Sequence, residues 1–446
     1  MHDSRGYAVS GADAASLGLF EAALAELQCY VVDPVATIDE AIARSPSFVM
    51  AHVMKAYLML AGTEAAGLST ARECRHAAAS AATNPRERQH VAAIDALIAG
   101  EYDLAAERFE DLLLDAPRDV LALQIAHVFD FLRGDARNLR DRVARVLPQW
   151  RPDMPGYHAV LGMHAFGLEE CGQYGRAEEA GREALRLNPA DAWAHHAVAH
   201  VLEMQGRVDE GIAWMASREE NWAPRNFFAV HNWWHWALLH LDRDEHDRVL
   251  ELYDGPIREG RSKVVLDMID ASAMLWRLHL RGVHCGGRWT ELAEAWAPLA
   301  SDGFYAFNDV HAMMAFVGAE RWDLADATLS AMTRRLSAVV GSNTAMTRDV
   351  GLPIARALYA FGRGEFDKTI RWLRPVRGIA SRFGGSHAQR DLFDLTLVEA
   401  AQRDGQVSLV RALAGERMAL KPANPLNRRY RDGALSMSRA IPLNAA

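Results

Sequence analysis

The chain has few cysteines, few lysines and no long apolar run. Its four cysteines, Cys29, Cys74, Cys171 and Cys285, are widely spaced and form no CxxC pair. This spacing supports neither a disulfide framework nor a zinc ribbon, and it is typical of buried, reduced thiols. No stretch approaches 18 consecutive apolar residues, and the first 15 residues lack the apolar core of a secretory signal. We therefore expect no membrane span and a cytoplasmic location.

The chain also lacks an excess of positive charge. Lys plus Arg number 49 against 58 Asp plus Glu, a formal net charge of −9. A broad nucleic-acid surface needs a concentrated cationic face, so no nucleic-acid partner is expected. Half of the 446 residues are apolar and 24% are charged, which is typical of a folded chain.

The apolar residues recur at three- and four-residue spacing, as in RAEEAGREALRLNP, while long β-branched runs are missing. This period indicates amphipathic helices and predicts an all-α protein. A small or polar residue, one spacer and a bulky residue recur as turn marks. From Gly172 onward they lie 33 to 44 residues apart: Gly100-Glu-Tyr102, Gly172-Gln-Tyr174, Gly206-Arg-Val208, Asp244-Glu-His246, Gly287-Arg-Trp289, Glu320-Arg-Trp322, Gly364-Glu-Phe366 and Gly405-Gln-Val407.

A turn at this period between paired helices, followed by a proline where the pair ends, predicts helix-turn-helix repeats. One helix pair cannot bury its apolar face alone, so neighbouring pairs must stack into a right-handed α-solenoid with a concave inner surface. We expect a single continuous repeat domain over 37–446, with 1–36 packed on the array. The alternative is two or three compact helical bundles with accidental spacing.

Four segments carry a family resemblance: DAWAHHAVAHVLEMQGRVDEGIAWM (191–215), NFFAVHNWWHWALLHLDRDEHDRVLELYD (226–254), FNDVHAMMAF (307–316) and FGGSHAQRDLF (383–393). With the two ends of the chain, they resemble the tetratricopeptide repeat protein 38-like family over essentially the whole length. The resemblance implies a TPR-like superhelix. It implies little about function, because we can attach no biochemical activity to that family.

Histidines concentrate in one part of the chain, where nine of the 18 lie between His158 and His246. His196, His200 and Glu203 are spaced i, i+4 and i+7, which places them on one helix face. In proteins similar to TPRs, that face lines the concave groove. His231 and His235 repeat the i, i+4 spacing on a second helix, with Asn232 beside them and tryptophans around them.

Other polar residues stand in apolar surroundings where a simple core would prefer Leu or Ala. They are candidates for the same ligand-binding pocket, with Trp234 and Phe307 as apolar walls: His164, Asp267, Asp270, Asn308, Asp309, His311, Ser386 and His387. Ser386 is also positioned to cap the helix that follows it.

Three interpretations of this set compete. The side chains could form satisfied polar networks that lock adjacent repeats. His196, His200, His231 and His235 could instead share a divalent transition-metal ion, although neither pair is an HExxH motif. A catalytic use would pair a histidine with Asp267 or Asp270 as an oriented base, or Ser386 with His387. No nucleotide or hydrolase motif occurs, so no other cofactor is predicted.

The favoured hypothesis is a TPR-like protein that binds a partner peptide or a small molecule in a groove lined by His, Trp and Asp. The alternative is a hydrolytic or acid–base enzyme, with or without a metal, that uses the same residues. Because lysines are nearly absent from the expected groove, a neutral or cationic small molecule fits it better than an acidic peptide tail. The sequence leaves the oligomeric state open.

Overall fold

The computed structural model describes residues 1–338 and 340–439. In this part of the chain the structure is helical, with two isolated extended bridges (His2 with Ala8, Val31 with Asn226) and no strand. The all-α prediction is confirmed.

The first half of the array holds thirteen helices. They are α1 (Ala14–Cys29), α2 (Pro34–Arg44), α3 (Val49–Ala61), α4 (Gly67–Ala81), α5 (Pro85–Ile98), α6 (Tyr102–Asp115), α7 (Val120–Leu132), α8 (Ala136–Val146), α9 (Tyr157–Glu170), α10 (Tyr174–Leu187), α11 (Ala192–Met204), α12 (Val208–Ala216) and α13 (Glu219–Trp222).

Twelve further helices follow in the described residues. They are α14 (Ala229–Leu241), α15 (His246–Leu252), α16 (Val265–Leu280), α17 (Arg288–Trp296), α18 (Ala306–Gly318), α19 (Trp322–Ala338), α20 (Ser342–Met346), α21 (Leu352–Gly362), α22 (Phe366–Val376), α23 (His387–Arg403), α24 (Val407–Leu420) and α25 (Pro425–Arg439). Short 3₁₀ segments (Leu147–Gln149, Ala297–Leu299, Arg377–Phe383) and π-helical segments (Tyr253–Ile257, Thr347–Gly351) extend some of them.

The turn marks separate the two helices of a pair, as predicted. Gly206 ends the first helix of its pair with φ +68°, a left-handed conformation that glycine adopts without strain, and α12 begins two residues later. Asp244 and Glu320 take the same conformation at their turns without being glycine. At the Gly287 mark the residue with positive φ is Gly286 instead.

The helix pairs form two layers. In a pair such as α9 and α10, the two helices pack against each other, and the first helix also packs against the first helix of the next pair. The series α9, α11, α14, α16, α18 and α21 is joined in this way. These first helices are buried on most faces and form the inner layer of a TPR-like stack of helix pairs.

The stack closes on itself. The Tyr305 hydroxyl bonds to the Leu132 carbonyl at 2.7 Å and to the Phe383 carbonyl at 3.0 Å, which joins three distant turns of the chain. Gly134 lies against the Ser381 backbone so closely that a Cβ atom there would overlap the carbonyl. Near the other end, Lys421 reaches back to Asp242 at 3.2 Å. These contacts join distant turns of the chain across its inner surface.

The N-terminal segment also contacts the array. The α1 helix packs against α2, and Tyr30 stacks on Trp193 with ring centroids 5.8 Å apart. Asp3 accepts a hydrogen bond from Arg86 of α5. Among the described residues, no helix combines the length and the apolar character needed to cross a bilayer.

Candidate functional site

Two neighbouring inner helices carry a group of four histidines. Asp191 caps α11 by accepting the Ala194 amide at 2.9 Å, and the helix begins at Ala192, four residues before His196. His196 and His200 lie one turn apart on α11, and His231 and His235 lie one turn apart on α14. Because α11 packs against α14, the two pairs face each other.

We call His196, His200, His231 and His235 the histidine cluster. Each ring is buried, and one nitrogen from each of the four lies within 4.8 Å of the corresponding nitrogens of the others. The rings of His196 and His200 are 4.4 Å apart, as are those of His200 and His235. Phe166, Trp193 and Phe228 pack against His196 and separate the cluster from the outer surface.

Carboxylates orient the α14 members of the cluster. Nδ1 of His231 lies 2.8 Å from Oδ2 of Asp270 on α16, and Nδ1 of His235 lies 3.1 Å from Oε2 of Glu203. The predicted pairing of a histidine with Asp270 is therefore present. On the far side of the cluster, Glu169 approaches Nδ1 of His200 at 3.5 Å.

The α11 members of the cluster have no such partners. Within the described residues, neither nitrogen of His196 or His200 makes a hydrogen bond, nor does either carboxylate oxygen of Glu169. Buried donors and acceptors are almost always satisfied in folded proteins, and an unsatisfied one costs about 1–3 kcal/mol. His127 is also unpartnered, but it contacts Phe166 and Trp193 and is not among the four converging histidines.

Burial sets the charge states of this region. It lowers the pKa of His200 to about 4 and holds the pKa values of His196 and His235 well below their usual range, so these rings are neutral at pH 7. Burial, with the nearby charge of Glu170, raises the pKa of Glu169 well above its ordinary value. Burial would also raise the pKa of Glu170, but Arg390 and His387 reverse the effect and lower it.

A cavity of about 460 Å³ adjoins the cluster. Glu203 connects the histidine cluster to this cavity, since it contacts His235 and also lines the cavity. We call this space the arginine cavity, because its wall is rich in cations drawn from distant helices: Arg277, Arg281, Arg377, Arg390, Arg417 and Lys421.

Most of these cations have acidic partners. Arg417 forms a two-point ion pair with Asp391, Arg377 contacts Asp394, and Lys421 contacts Asp242.

Two cations of the arginine cavity, Arg277 and Arg281, form no ion pair with an acidic side chain among the described residues. Arg277 is only 3% exposed, and its guanidinium donates to the backbone carbonyls of Ala273 and Ala388. Arg281 donates to the Arg277 carbonyl, and its Nε has no partner. Burial lowers the pKa of Arg277 to about 10, so it remains charged at neutral pH. Neither forms an ion pair with a carboxylate in the described part of the chain.

The structure places the remaining predicted residues in several parts of the molecule. Asn232 and Asp267 are buried near the cluster, and His387 lies on the wall of the arginine cavity. Ser386 caps α23, as predicted, by accepting the Gln389 amide in a capping box.

The other predicted residues lie elsewhere. Asn308 donates to the Thr63 carbonyl and lines, with Asp309, a separate small pocket. His311 contacts Phe307 and bonds to its carbonyl, and His164 lines a third pocket beside Arg176. The expected meeting of all these residues in one pocket, with Phe307 as a wall, does not occur. His164 lies on α9, whereas Asn308, Asp309 and His311 lie on α18.

Several residues of this region were not predicted. They are Glu169, Glu170, Asp242, Arg277, Arg281, Arg390 and Lys421. The sequence offered a signal for some of them, because charged residues inside an apolar helix are unusual. Arg277 stands in the apolar run MLWRLHL, and Glu169 and Glu170 end the segment GLEE. The sequence around Lys421 offered no such signal, because Lys421 reaches Asp242 only when distant helices of the stack come together. We expected few lysines in the groove and, for that reason, a neutral or cationic ligand. In the described residues one lysine and five arginines line the arginine cavity, so its wall carries more cations than that expectation assumed.

No family model matches the chain. Among solved structures it is similar to the crystal structure of yeast Tom70, over 95% of this chain and 88% of that one, with 11% sequence identity and a TM-score of 0.34. A similarity this distant assigns no ligand or activity to the chain.

Proposed function

We propose that this TPR-like protein binds a small anionic molecule, one that carries a carboxylate or phosphate group, in the arginine cavity. The observation that supports the proposal is Arg277, a buried guanidinium on the cavity wall without a carboxylate partner. Burying a charge is unfavourable by several kcal/mol unless a counter-charge is supplied. A bound anion would supply it.

The size and lining of the cavity suit such a ligand. A volume of about 460 Å³ lies within the usual range for small-molecule sites, roughly 300–1,000 Å³. Leu238, Ile354 and Phe393 provide apolar walls, and Arg281 adds a second guanidinium one helical turn from Arg277. Guanidinium groups bind planar carboxylates and phosphates at two points, which favours Arg over Lys in this role.

A thermal-shift titration tests the proposal. The probes are inorganic phosphate and succinate, each compared with sodium chloride of equal ionic strength. We expect both anions to raise the Tm of the wild-type protein, because a ligand that binds only the folded state stabilises it. Arg277→Met removes this shift, while the ligand-free variant keeps its stability or gains some, since an unpaired buried charge is gone.

The matched control is Arg377→Met. Arg377 also lines the arginine cavity, but its charge is already paired with Asp394 and Glu416. This control should leave the anion-induced shift in place. Equal shifts in the wild type and in Arg277→Met would contradict the proposal.

The enzyme alternative keeps one specific observation in its favour. His387 lies on the cavity wall, its amide donates to the buried Glu170 carboxylate at 2.9 Å, and its Nε2 lies 3.1 Å from the Glu170 carbonyl. An oriented imidazole beside a ligand cavity can act as a general base. Hydrolysis of p-nitrophenyl acetate or phosphate by the wild type, lost in His387→Ala, would favour the enzyme over the binding protein.

The remaining expectations are proposals of the same kind. We propose that the chain belongs with the tetratricopeptide repeat protein 38-like family, on the strength of its histidine-rich segments. A cytoplasmic location is proposed because the four cysteines are free thiols, as is usual in reducing compartments.

A peptide could also place its C-terminal carboxylate against Arg277, and a thermal shift given by a peptide but not by succinate would favour that partner.

A further inference from the structure

The histidine cluster brings four nitrogen ligands to one point. His196, His200, His231 and His235 come from two helices that pack side by side, and their nearest nitrogens lie within 4.8 Å of one another. All four rings are at most 5% exposed. Partly buried histidines are common singly, but four converging rings leave little room for any partner other than a small ion.

The carboxylates fix which nitrogen of each α14 histidine faces the centre. The carboxylate oxygens of Asp270 and Glu203 face Nδ1 of His231 and of His235, and each Nδ1–H donates to its carboxylate. The two Nε2 atoms then present lone pairs to each other at 3.3 Å. Metal-binding histidines usually donate their outer ring N–H to a carboxylate in this way, which fixes the orientation of the ring.

The separation of the two Nε2 atoms fits a shared metal ion. With metal–nitrogen bonds of about 2.0–2.1 Å, two ligands of a tetrahedral site are about 3.3–3.4 Å apart. A proton held between the two Nε2 atoms would also explain the observed 3.3 Å. That proton would, however, leave both nitrogens of His196 and of His200 without a partner.

We infer that the histidine cluster binds one divalent transition-metal ion, with His196, His200, His231 and His235 as ligands and with Asp270 and Glu203 holding two of those rings in place. The donor set is all imidazole and contains no thiolate, which suits Zn²⁺, Cu²⁺, Ni²⁺ or Fe²⁺ and disfavours Mg²⁺ and Ca²⁺. Two carboxylates that contact the cluster, those of Glu203 and Asp270, would offset the ion's charge. The inference does not depend on an anion in the arginine cavity.

Cobalt provides a spectroscopic test on the full-length protein. After treatment with EDTA and removal of the chelator, the wild type is titrated with CoCl₂ and then with ZnSO₄. We expect one Co²⁺ per chain with visible absorption bands of a nitrogen-ligated ion, and we expect Zn²⁺ to abolish them. Absence of stoichiometric binding by the wild type overturns the inference without recourse to any variant.

Variants assign the site. His235→Gln should abolish the bands, and Asp270→Asn should weaken binding about 10- to 100-fold, as loss of a carboxylate that orients a ligand typically does. His195→Gln is the matched control, because His195 is buried beside His196 but bonds to the Pro189 carbonyl and lies outside the cluster. Circular dichroism monitors helicity in each variant. Equal cobalt binding by wild type and His235→Gln overturns the inference.

The two proposals can fail separately. Arg277→Met should leave the cobalt titration unchanged, and EDTA treatment should leave the phosphate and succinate shifts unchanged. Loss of anion binding with intact cobalt bands would contradict only the function proposed for the arginine cavity.

Discussion

Two regions of this molecule that contain buried histidines differ in how their polar atoms are satisfied. In the first, around His90 of α5, the Tyr57 hydroxyl lies 2.9 Å from Nδ1 of His90, and Asp119 lies 2.9 Å from its Nε2. Asp119 also accepts a hydrogen bond from Arg86 and caps α7 through the Ala122 amide. We call Tyr57, Arg86, His90 and Asp119 the His90 network.

The histidine cluster is equally buried but differently bonded. Both nitrogens of His90 have partners, whereas no nitrogen of His196 or His200 has one. The His90 network matches the structural interpretation of buried histidines, namely a satisfied set of bonds that holds adjacent repeats together. Burial alone therefore does not mark a site in this fold. The useful signal is a buried nitrogen that could bind a ligand and makes no hydrogen bond. Three experiments test this difference between the His90 network and the histidine cluster.

The largest effect is expected from Asp119→Ala. Burial would raise the pKa of Asp119, but His90 and Arg86 outweigh burial and hold it below its usual range, so the carboxylate is charged. Its removal leaves Nε2 of the buried His90 without a partner, takes one of two carboxylate partners from Arg86 and deletes a helix cap, which should lower the free energy of unfolding by about 2–5 kcal/mol. Urea denaturation measures the change.

Asp119→Asn is the control, since it keeps the hydrogen-bonding shape and should lose less. Cobalt binding should survive in any Asp119 variant that remains folded. A stable Asp119→Ala protein would remove the distinction between the two histidine groups.

Acidification should weaken the fold through the histidine cluster. The pKa of His200 is about 4 in the folded chain, against an ordinary value of 6.5 when the ring is exposed to water on unfolding. Between these values the unfolded chain binds more protons, so stability falls as the pH drops from 6.5 to 4. The contribution is roughly 3 kcal/mol at most, and the loss is complete below a pH of about 4.

The measurement is urea denaturation of metal-free wild type and His200→Gln at several pH values. Glu169 acts in the opposite direction, because its raised pKa adds stability on acidification, and it is present in both proteins. The wild type should therefore lose more stability than His200→Gln over this window. Parallel pH profiles would refute the expectation.

The smallest changes in stability should have opposite signs in the His90 network and in the histidine cluster. Tyr57→Phe deletes a hydroxyl that serves His90, and it should lower stability by about 1 kcal/mol. His196→Leu, in metal-free protein, replaces an unpartnered ring with an apolar side chain of similar volume, and it should be neutral or slightly stabilising. Thermal denaturation of both variants tests the pair. A destabilising His196→Leu would show that the His196 ring is structural.

Much of the architecture was predictable from local pattern. The turn marks at Gly172, Gly206 and Gly405 begin new helices two residues later, because a left-handed residue ends one helix and the chain reverses there. The i, i+4 spacing of His196 with His200 and of His231 with His235 placed each pair on one face for the same local reason. The pair α7 and α8 was missed, although Gly134 makes the same turn, because its bulky residue is replaced by Ala136.

The sequence by itself thus determined the helix pairs, their stacking and two histidine-bearing faces, since these depend on residues within one or two turns of each other. Only the tertiary structure decided which carboxylate meets which imidazole, that Arg277 forms no ion pair with a carboxylate among the described residues, and that Lys421 closes the cavity against Asp242. It also brought Asn308 into a hydrogen bond with Thr63, which lies 245 positions away in the chain. Such contacts depend on the accumulated rotation of many stacked pairs, a quantity to which every interface contributes and which no local window encodes.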